Sequence, residues 1–379
     1  MKKFSWIVTI ARIIIGLTFI FSGFVKAVDP IGSMIKFDEY FEAFNTVFLQ
    51  QFSLFFSIAL SSLEFILGFS LIFSSKIKLV SLLSLLLMAF FTIQTFILAI
   101  WNPVTDCGCF GDAIKLTNWQ TFYKNLVLMI LVLIVYLNRE KILPVFPKRE
   151  WLVIFTGTAI VLCISLYSWL YMPLIDFRPY KAGNDIKKLM SIPAGKHGDV
   201  YKSVLIYKNK KTGQITKFSE DNIPMDMETW EWLETKTQMV EKGFTPPIHD
   251  FKISDRDGID LTDSFLTQKG YRILIVQEDL NKTNKKAQKK IIDLVEEMQK
   301  QHKIYIWALT SSVGEIIEEY VKKNSLPYTF LSADPTTLKT INRSNPAIIL
   351  FKDNVVIKHW PARGIPGYQK LINGIQELK

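Results

Sequence analysis

The sequence contains few cysteines and few histidines. Among its 379 residues are only three cysteines and four histidines. Three cysteines exclude a small fold held together by several disulfides. The histidines, His197, His249, His302 and His359, form no metal-ligand spacing, so we expect no metal site. A phosphate-binding loop, a dinucleotide fingerprint and a nucleophile elbow are also missing, which excludes the enzyme classes that depend on those motifs.

Acidic residues are the minority among the charged residues. The chain has 45 Lys and Arg against 35 Asp and Glu, a net charge of +10. The basic residues are dispersed, and no zinc-finger, helix-turn-helix or RNA-reading motif accompanies them. We therefore expect a basic surface beside anionic membrane lipid and no nucleic-acid partner.

Charged residues are rare in residues 1–172 and frequent in residues 176–379. A bilayer core of about 30 Å needs about 20 apolar residues in a helix. Five segments provide such a length: Phe4–Val25, Phe52–Phe73, Val80–Ile100, Trp119–Leu137 and Trp151–Met172. The sequence therefore predicts five membrane spans followed by a soluble domain. A cleaved signal peptide ending near Ala27 is the alternative for the first segment, but that apolar stretch is long and contains Arg12.

The short loops between these spans distribute lysine and arginine unequally. With a cytoplasmic N-terminus, the cytoplasmic side holds Lys2, Lys3, Lys76, Lys78, Arg139, Lys141, Lys148 and Arg149, and the opposite side holds Lys26, Lys36 and Lys115. Positive residues concentrate on the cytoplasmic side of membrane proteins. The bias predicts an inner (plasma) membrane protein whose C-terminal domain is periplasmic.

Phenylalanines recur at helical spacing after the first span. Phe37, Phe41, Phe44 and Phe48 stand opposite acidic and amide residues. The pattern predicts an interfacial helix, which either roofs a site between the spans or simply packs on the bundle.

Two charged residues, Arg12 and Glu64, fall near the middle of predicted spans. With a rise of about 1.5 Å per residue, Arg12 lies roughly 12 Å from the cytoplasmic end of its span and Glu64 roughly 15 Å from the cytoplasmic end of its own. A charge at that depth costs a few kcal/mol, so it needs a partner or a function. We expect either a buried Arg12–Glu64 ion pair or a polar pocket for a quinone or a proton path. Ser22, Lys26 and Gln94 would extend such a pocket.

The loop after the third span contains the string Cys107-Gly108-Cys109. Cysteines two positions apart close only a small ring, and Gly108 helps to bring their Cα atoms within disulfide range. Strained, exposed disulfides exchange with other thiols, so the string predicts a redox couple with Cys107 and Cys109 as catalytic residues. A static disulfide that pins the loop and a metal-binding pair are the alternatives. Cys163 is expected to be an inert core residue of the fifth span.

These features together resemble a known membrane family. The matching positions are Arg12, Gly16, Phe21–Lys26, Glu64, Gly68, Cys107–Gly111 and Trp119. They resemble the MauE branch of the DoxX-like membrane proteins over about residues 4–140. The resemblance implies a four-helix membrane core linked to the maturation of disulfide-rich periplasmic proteins, or to thiol and quinone redox chemistry. A quinone is therefore a possible cofactor.

The C-terminal part alternates strands and helices. The predicted strands are Lys202–Tyr207, Gln214–Phe218, Tyr271–Gln277, Ile304–Leu309, Ala347–Phe351 and Val355–His359, and the predicted helices are Lys285–Gln301, Val313–Asn324 and Pro366–Leu378. The first two strands, separated by a Lys-Lys-Thr-Gly turn, form a predicted hairpin. The length and order of the others predict an α/β domain with a thioredoxin-like fold.

Details of this domain resemble the peroxiredoxin and TlpA group of thioredoxin-like proteins. Phe244–Phe251 and Asp257-Gly258 resemble the first strand and turn of that group, and Asn345-Pro346-Ala347 stands where the group places a cis-proline. Redox members carry Cys-x-x-Cys where this chain has Glu278–Asn284, which contains no thiol nucleophile. We therefore expect an inactive binding module, in which Asn345, Pro346 and Ala347 form a docking loop for a partner strand or merely an ordinary turn.

The sequence thus predicts four parts: a MauE/DoxX-like bundle (1–140), a fifth span with linker (141–175), a hairpin-containing elaboration (176–243) and a thioredoxin-like domain (244–379). The expected function is an accessory role in redox or folding maturation of exported or periplasmic proteins. Thiol oxidoreductase activity, where the protein has it, is expected in the membrane domain. The alternative is a non-enzymatic scaffold subunit of an envelope or protein-export complex. A transporter is disfavoured, because the spans show no inverted repeat or broken helix pair.

Overall fold

The structure is a computed structural model. It describes residues 2–104, 106–198, 200–219, 222–224, 226, 228–241, 243–301 and 304–376. A bundle of long helices is followed by a soluble α/β part, and the two parts are in contact.

Five helices of the described residues are long and apolar enough to cross a membrane. They are α1 (Lys2–Val28), α3 (Ser53–Phe73), α4 (Ile77–Trp101), α5 (Asn118–Leu137) and α6 (Glu150–Leu170). A helix can cross a bilayer because it pairs its backbone polar groups internally. The protein is therefore a multi-pass membrane protein, and the five predicted spans are found within a few residues of their expected ends.

Helix α2 (Pro30–Ala43) is the predicted amphipathic helix after the first span. Its N-cap is Asp29, whose Oδ1 accepts a hydrogen bond from the Gly32 amide (2.9 Å). The helix ends before Phe44, and a 3-10 turn at Val47–Phe52 leads into α3. The last two phenylalanines of the predicted stripe, Phe44 and Phe48, are therefore outside α2.

Helices α1 and α3 are packed closely at glycine residues. A Cβ atom at Gly68 would lie 2.6 Å from the backbone oxygen of Gly16, and one at Gly23 would lie 2.6 Å from the backbone oxygen of Ser61. Small residues allow helix backbones to approach in a membrane, where lipid tails supply little hydrophobic driving force. Gly16 and Gly68 thus determine which levels of α1 and α3 face each other.

The soluble part begins with α7 (Ile186–Met190) and an antiparallel three-stranded sheet. Its strands are β1 (Val200–Asn209), β2 (Ile215–Ser219) and β3 (Trp230–Glu241), in the order β2-β1-β3. The predicted hairpin is confirmed, with Leu205 opposite Phe218. The sequence did not predict β3, because its second half is polar at successive positions and lacks apolar alternation.

The rest of the soluble part is a domain with a mixed five-stranded sheet and helices packed against it. Its elements are α8 (Thr262–Thr267), β4 (Tyr271–Val276), α9 (Lys285–Gln301), β5 (Tyr305–Thr310), α10 (Gly314–Asn324), β6 (Leu331–Ser332), α11 (Pro335–Ile341), β7 (Ala347–Lys352), β8 (Val355–Pro361) and α12 (Tyr368–Gln376). The order is β6-β5-β4-β7-β8; β4, β5 and β6 are parallel, and β7 is antiparallel to β4 and β8. This is a thioredoxin-like fold, as predicted. The expected end of the last helix, Leu378, lies outside the described residues.

The core of this domain lies on both faces of the sheet. Ile273 and Ile275 pack with α9, α10 and α12, whereas Leu274 and Val276 pack with α8 and α11. Alternate residues of a strand point to opposite faces, so a continuous apolar strand is buried on both sides.

The soluble part contacts the bundle through Arg343, which follows α11. Its Nη2 is 2.7 Å from Asp29 Oδ2, and its Nε is 3.0 Å from Asp29 Oδ1. Arg343 also lies 3.6 Å from Asp112, and its side chain is only 3% exposed. Burial alone raises the pKa of Asp29, but the Arg343 charge and hydrogen bonds outweigh it and lower the pKa below its ordinary value. The contact therefore joins residues 314 positions apart at the end of the bundle that carries the cysteines.

Candidate active site at the cysteine loop

The segment 106–112, here called the cysteine loop, lies between α4 and α5. Cys107 and Cys109 form a disulfide with a Cα–Cα distance of 5.5 Å, and both residues are half-buried. Gly108 has a φ of +64°, and a Cβ there would lie 3.0 Å from Cγ of Lys36. Glycine adopts this left-handed conformation without steric cost, so it suits the tight connection between the two cysteines.

Side chains of α1 and α2 hold the carbonyl groups of the two cysteines. Ser22 Oγ and Lys26 Nζ both donate to the carbonyl oxygen of Cys109, at 2.8 and 2.6 Å. Tyr40 Oη donates to the carbonyl oxygen of Cys107 at 2.8 Å. The disulfide is therefore fixed from two sides, by a membrane span and by the amphipathic helix.

Lys26 also forms a buried ion pair beneath the loop. Its Nζ lies 2.8 Å from Glu64 Oε2, and the two side chains are 7% and 3% exposed. The predicted Arg12–Glu64 pair is wrong, because Glu64 is paired with Lys26. The charge of Glu64 thereby connects α3 to the anchor of the cysteine loop.

Arg12 has a different set of acceptors. Its guanidinium donates to the carbonyl oxygens of Leu71 and Ile72 near the end of α3. The last carbonyls of a helix have no partner within the helix and readily accept such bonds. The Gly16–Gly68 approach places Arg12 level with this turn, eight residues or about 12 Å along α3 from Glu64. Counting residues from the ends of the spans placed Arg12 and Glu64 at similar depths, and this count did not reveal the offset between them.

Two acidic residues surround Lys36 on the α2 side of the loop. Lys36 Nζ lies 2.8 Å from Glu39 and 3.3 Å from Asp106. Burial alone lowers the pKa of Lys36, but these carboxylates raise it above the ordinary value. Burial, and then the charges of Asp106 and Glu39, raise the pKa of Tyr40. The Tyr40 hydroxyl therefore stays protonated and keeps its hydrogen bond to Cys107.

A cavity of about 640 Å³ lies between α2, α3, α4 and the cysteine loop. Most of its lining is apolar and aromatic: Phe37, Phe41, Phe44, Phe56, Ala59, Leu60, Leu63, Phe90, Phe91, Ile93 and Ile97. Five of the predicted polar or reactive residues also line it: Lys26, Glu64, Gln94, Cys107 and Cys109. Leu63, Phe90 and Ile93 are 40–62% exposed on the bundle surface. The cavity therefore opens towards the surrounding lipid and has a polar end beside the disulfide.

Lys124 belongs to the same region but was not singled out from the sequence. Its ammonium lies 4.3 Å from the centroid of the Phe110 ring. Together with Ser22, Glu64 and Cys109 it lines a small cavity of about 20 Å³ beneath the loop. A signal was available, because Lys124 is a charged residue inside the predicted fourth span.

A second cavity, of about 270 Å³, separates the cysteine loop from the soluble part. Its lining includes Asp29, Asp106 and Gly108 from the bundle side, and Thr336 and Arg343 from the soluble side. Gly108 lines both large cavities, whereas the two cysteines line the membrane cavity. The disulfide is thus oriented towards the interior of the bundle.

The predicted docking loop lies at the same end of the soluble domain as Arg343. The Asn345–Pro346 peptide bond is cis, as expected, and Ala347 begins β7 opposite Val276 of β4. Asn345 Nδ2 donates to the carbonyl oxygen of Asp279 (2.7 Å). The loop is therefore packed on Glu278–Asn284, the segment without cysteine at the thioredoxin active-site position.

Cys163 was expected in the core of the fifth span. It is a free cysteine exposed on the surface of α6. The prediction of a core position is wrong, because a span surrounded by lipid is apolar on every face and its composition does not identify the buried side.

The fold and the site define a multi-pass membrane protein in which a helical bundle with a cysteine loop is joined to a thioredoxin-like domain. Residues 4–138, which contain the first four membrane spans, match the family model described as methylamine utilisation protein MauE, so this part of the chain is a MauE-type membrane domain. Residues 201–242, which contain most of the three-stranded sheet, match a model described as a domain of unknown function (DUF8463). No curated protein matches the chain.

Two solved structures are similar to the soluble domain. One is a candidate protein disulfide isomerase from Bacteroides thetaiotaomicron, with 13% identity over 34% of this chain and 84% of that chain, and a TM-score of 0.27. The other is the pneumococcal exposed lipoprotein thioredoxin from Streptococcus pneumoniae, with 16% identity over 34% of this chain and 98% of that chain, and a TM-score of 0.26. Because these TM-scores are low, the fold assignment rests on the strand order of the chain itself.

Proposed function

We propose that the protein is a membrane-bound accessory factor for the redox maturation of exported proteins and that Cys107 and Cys109 are its thiol/disulfide couple. The observation that supports this proposal best is the position of the disulfide in the wall of the 640 Å³ membrane cavity. A disulfide that only pinned a loop would need no such cavity. Lys26, Ser22 and Tyr40 bind the carbonyl oxygens of the two cysteines and so hold the backbone of the loop at this wall.

The cavity suits a quinone as the electron acceptor. Its volume lies in the range of small-molecule sites, and a mostly apolar lining with a few polar groups at one end suits a ring with carbonyl oxygens on an apolar tail. A bound quinone would supply a two-electron oxidant. The residues of this chain would hold the ring beside the disulfide, with Gln94 as a donor and the phenylalanines of α2 and α4 excluding water.

We propose the periplasmic side for the cysteine loop and the soluble domain. Both occupy the same end of the bundle, as the Arg343–Asp29 contact requires. The excess of Lys and Arg at the other end supports this orientation in a plasma membrane. An oxidising compartment would also maintain the disulfide.

The thioredoxin-like domain would recruit partners without redox chemistry of its own. The segment Glu278–Asn284 contains no cysteine and therefore no thiolate nucleophile. The domain is nevertheless held beside the cysteine loop by Arg343. This placement supports a role in bringing exported proteins to the loop.

The test is the redox state of the couple in living cells. Alkylation of acid-quenched cells should find Cys107 and Cys109 partly reduced, and the reduced fraction should fall after brief treatment with a thiol oxidant. The variant with Cys107→Ser and Cys109→Ser should lose partner maturation and keep partner binding, and Cys163→Ser is the matched control. A fully oxidised couple, together with normal maturation in the double variant, would contradict the redox function and favour the scaffold.

A further inference from the structure

Lys124 has a membrane-embedded ammonium group, and it has no role in the function proposed above. The cluster beneath the cysteine loop contains two ammonium groups, those of Lys26 and Lys124, and one carboxylate, that of Glu64. Glu64 is paired with Lys26 at 2.8 Å. Among the described residues, no carboxylate lies within 4.0 Å of Lys124 Nζ, whose contact is the Phe110 ring. An ammonium group inside a membrane span without a counter-ion is costly and therefore marks a functional position.

The two cysteines face different parts of this electrostatic environment. Cys109 lines the small cavity with Lys124, and its carbonyl oxygen accepts from Lys26. Cys107 follows Asp106, and its carbonyl oxygen accepts from Tyr40. The charged and titratable groups around the pair are Lys26 of α1, Lys36, Glu39 and Tyr40 of α2, Glu64 of α3, Lys124 of α5, and Asp106 of the loop. The side of Cys109 thus holds two ammonium groups and one carboxylate, whereas Asp106, beside Cys107, belongs to a group of two carboxylates around one ammonium group, that of Lys36.

We infer that Cys109 is the leaving group of the couple and that Lys124, with Lys26, stabilises its thiolate. This inference rests on the proposed thiol/disulfide function. An opposite charge nearby favours the ionised form of a thiol, and the thiol with the lower pKa leaves faster in disulfide exchange. Lys124, which has no ion pair of its own among the described residues, thus gains a counter-ion when the couple is reduced.

The exchange then has a defined direction. A thiolate of the partner protein attacks the sulfur of Cys107, the Cys107–Cys109 bond breaks, and Cys109 leaves as a thiolate. The second partner thiolate attacks the partner sulfur of the mixed disulfide, and Cys107 departs and takes up a proton. In sum, a partner dithiol and the loop disulfide become a partner disulfide, a Cys107 thiol, a Cys109 thiolate and one proton. Two electrons pass from the partner to the couple.

The first test measures the pKa of each thiol in the full-length protein in detergent. Cys163→Ala provides the background, and Cys107→Ser or Cys109→Ser leaves one thiol of the pair. The rate of iodoacetamide alkylation against pH should give Cys109 a pKa at least one unit below that of Cys107, about a tenfold larger thiolate fraction below both values. Lys124→Met should raise the Cys109 pKa by a similar amount, Lys124→Arg should restore it, and neither should move the Cys107 pKa. Equal pKa values, or a Cys109 pKa unchanged by Lys124→Met, would overturn the inference.

A second test identifies the attacked sulfur in cells. Cys109→Ser should accumulate mixed disulfides between Cys107 and partner proteins, and Cys107→Ser should accumulate fewer. The reverse pattern would overturn the assignment of Cys109 as the leaving group. If Lys124→Met reduces folded yield, Lys124→Gln serves as the second neutral variant. The alkylation test needs only reduced protein, so a couple that is locked as a disulfide in cells would contradict the proposed function without deciding the pKa result.

Discussion

At the scale of single residues, Lys26 has three polar partners. Its ammonium lies 2.7 Å from Ser22 Oγ, 2.8 Å from Glu64 and 2.6 Å from the carbonyl oxygen of Cys109. A buried cation with this many acceptors is satisfied, whereas the loss of either charge leaves the other without compensation. Lys26 therefore contributes to bundle stability and to the position of the cysteine loop.

Single and double substitution of this ion pair should differ. Lys26→Met or Glu64→Leu alone should destabilise the bundle by roughly 3–5 kcal/mol, because one buried charge remains unpaired. The double variant should accumulate in membranes better than either single one, since it leaves neither charge. Quantitative immunoblotting of membrane fractions measures this, with Lys78→Met at an exposed ion pair as the control. A double variant that accumulates no better than the single ones would contradict a simple pair.

At the scale of elements, the approach of α1 to α3 determines which side chains meet. The backbones meet at Gly16 and Gly68, and this register places Arg12 beside the end of α3 and Lys26 within reach of Glu64. A methyl group inserted between two backbones cannot be accommodated by a change of rotamer. The glycines are therefore needed for the geometry of the site.

Adding one methyl group at Gly68 should separate the two helices. Gly68→Ala should cost at least about 1–3 kcal/mol, because the new Cβ would lie 2.6 Å from backbone atoms of Gly16 and Ile20. Gly374→Ala in α12 is the matched control, since a Cβ there meets nothing within 4 Å and alanine favours helix. Thermal inactivation of detergent-solubilised protein should show a loss for the first variant alone. Equal behaviour of the two variants would show that the backbones are not in close contact.

At the scale of the whole molecule, one buried ion pair connects the soluble domain to the bundle. Arg343 is bound by Asp29 and lies near Asp112, and all three surround the cavity above the cysteine loop. The pKa of Asp29 in the folded protein lies below the unfolded value of about 3.9. The contribution of this pair is therefore complete above that pH and is lost as the pH falls through the folded pKa.

Removal of this contact should loosen the domain without unfolding it. Arg343→Gln should weaken docking of the domain by roughly 3–5 kcal/mol, because the buried Asp29 carboxylate loses its partner. Asp29→Asn should weaken it less, because Arg343 keeps Asp112 at 3.6 Å. Asn retains the N-cap function of Asp29 for α2. Hydrogen exchange should become faster in α2 and residues 106–112 and remain unchanged in β4 and β7. Arg256→Gln, at an exposed ion pair with Glu318, is the control; exchange as slow as in that control would argue against the contact.

Part of this structure could be predicted from the sequence because it depends on local patterns. The five spans follow from apolar length, the order of strands and helices from apolar periodicity, and the Cys107–Cys109 pair from a spacing of two. The absence of a thiol from Glu278–Asn284 is likewise a property of the sequence alone. These features need no knowledge of which elements meet.

Only the tertiary structure decided the partners of the charged groups and the surroundings of the disulfide. Glu64 pairs with Lys26 and not with Arg12, because helix packing at Gly16 and Gly68 sets the register of α1 against α3. That register cannot be obtained from the depths of residues in their spans. The outward position of Cys163 could not be predicted either, because a uniformly apolar span does not show which of its sides is buried. Arg343 meets Asp29 across 314 positions because the surfaces of the bundle and the soluble domain pack together. Such contacts depend on relative position in space, which a linear pattern of residue types does not record.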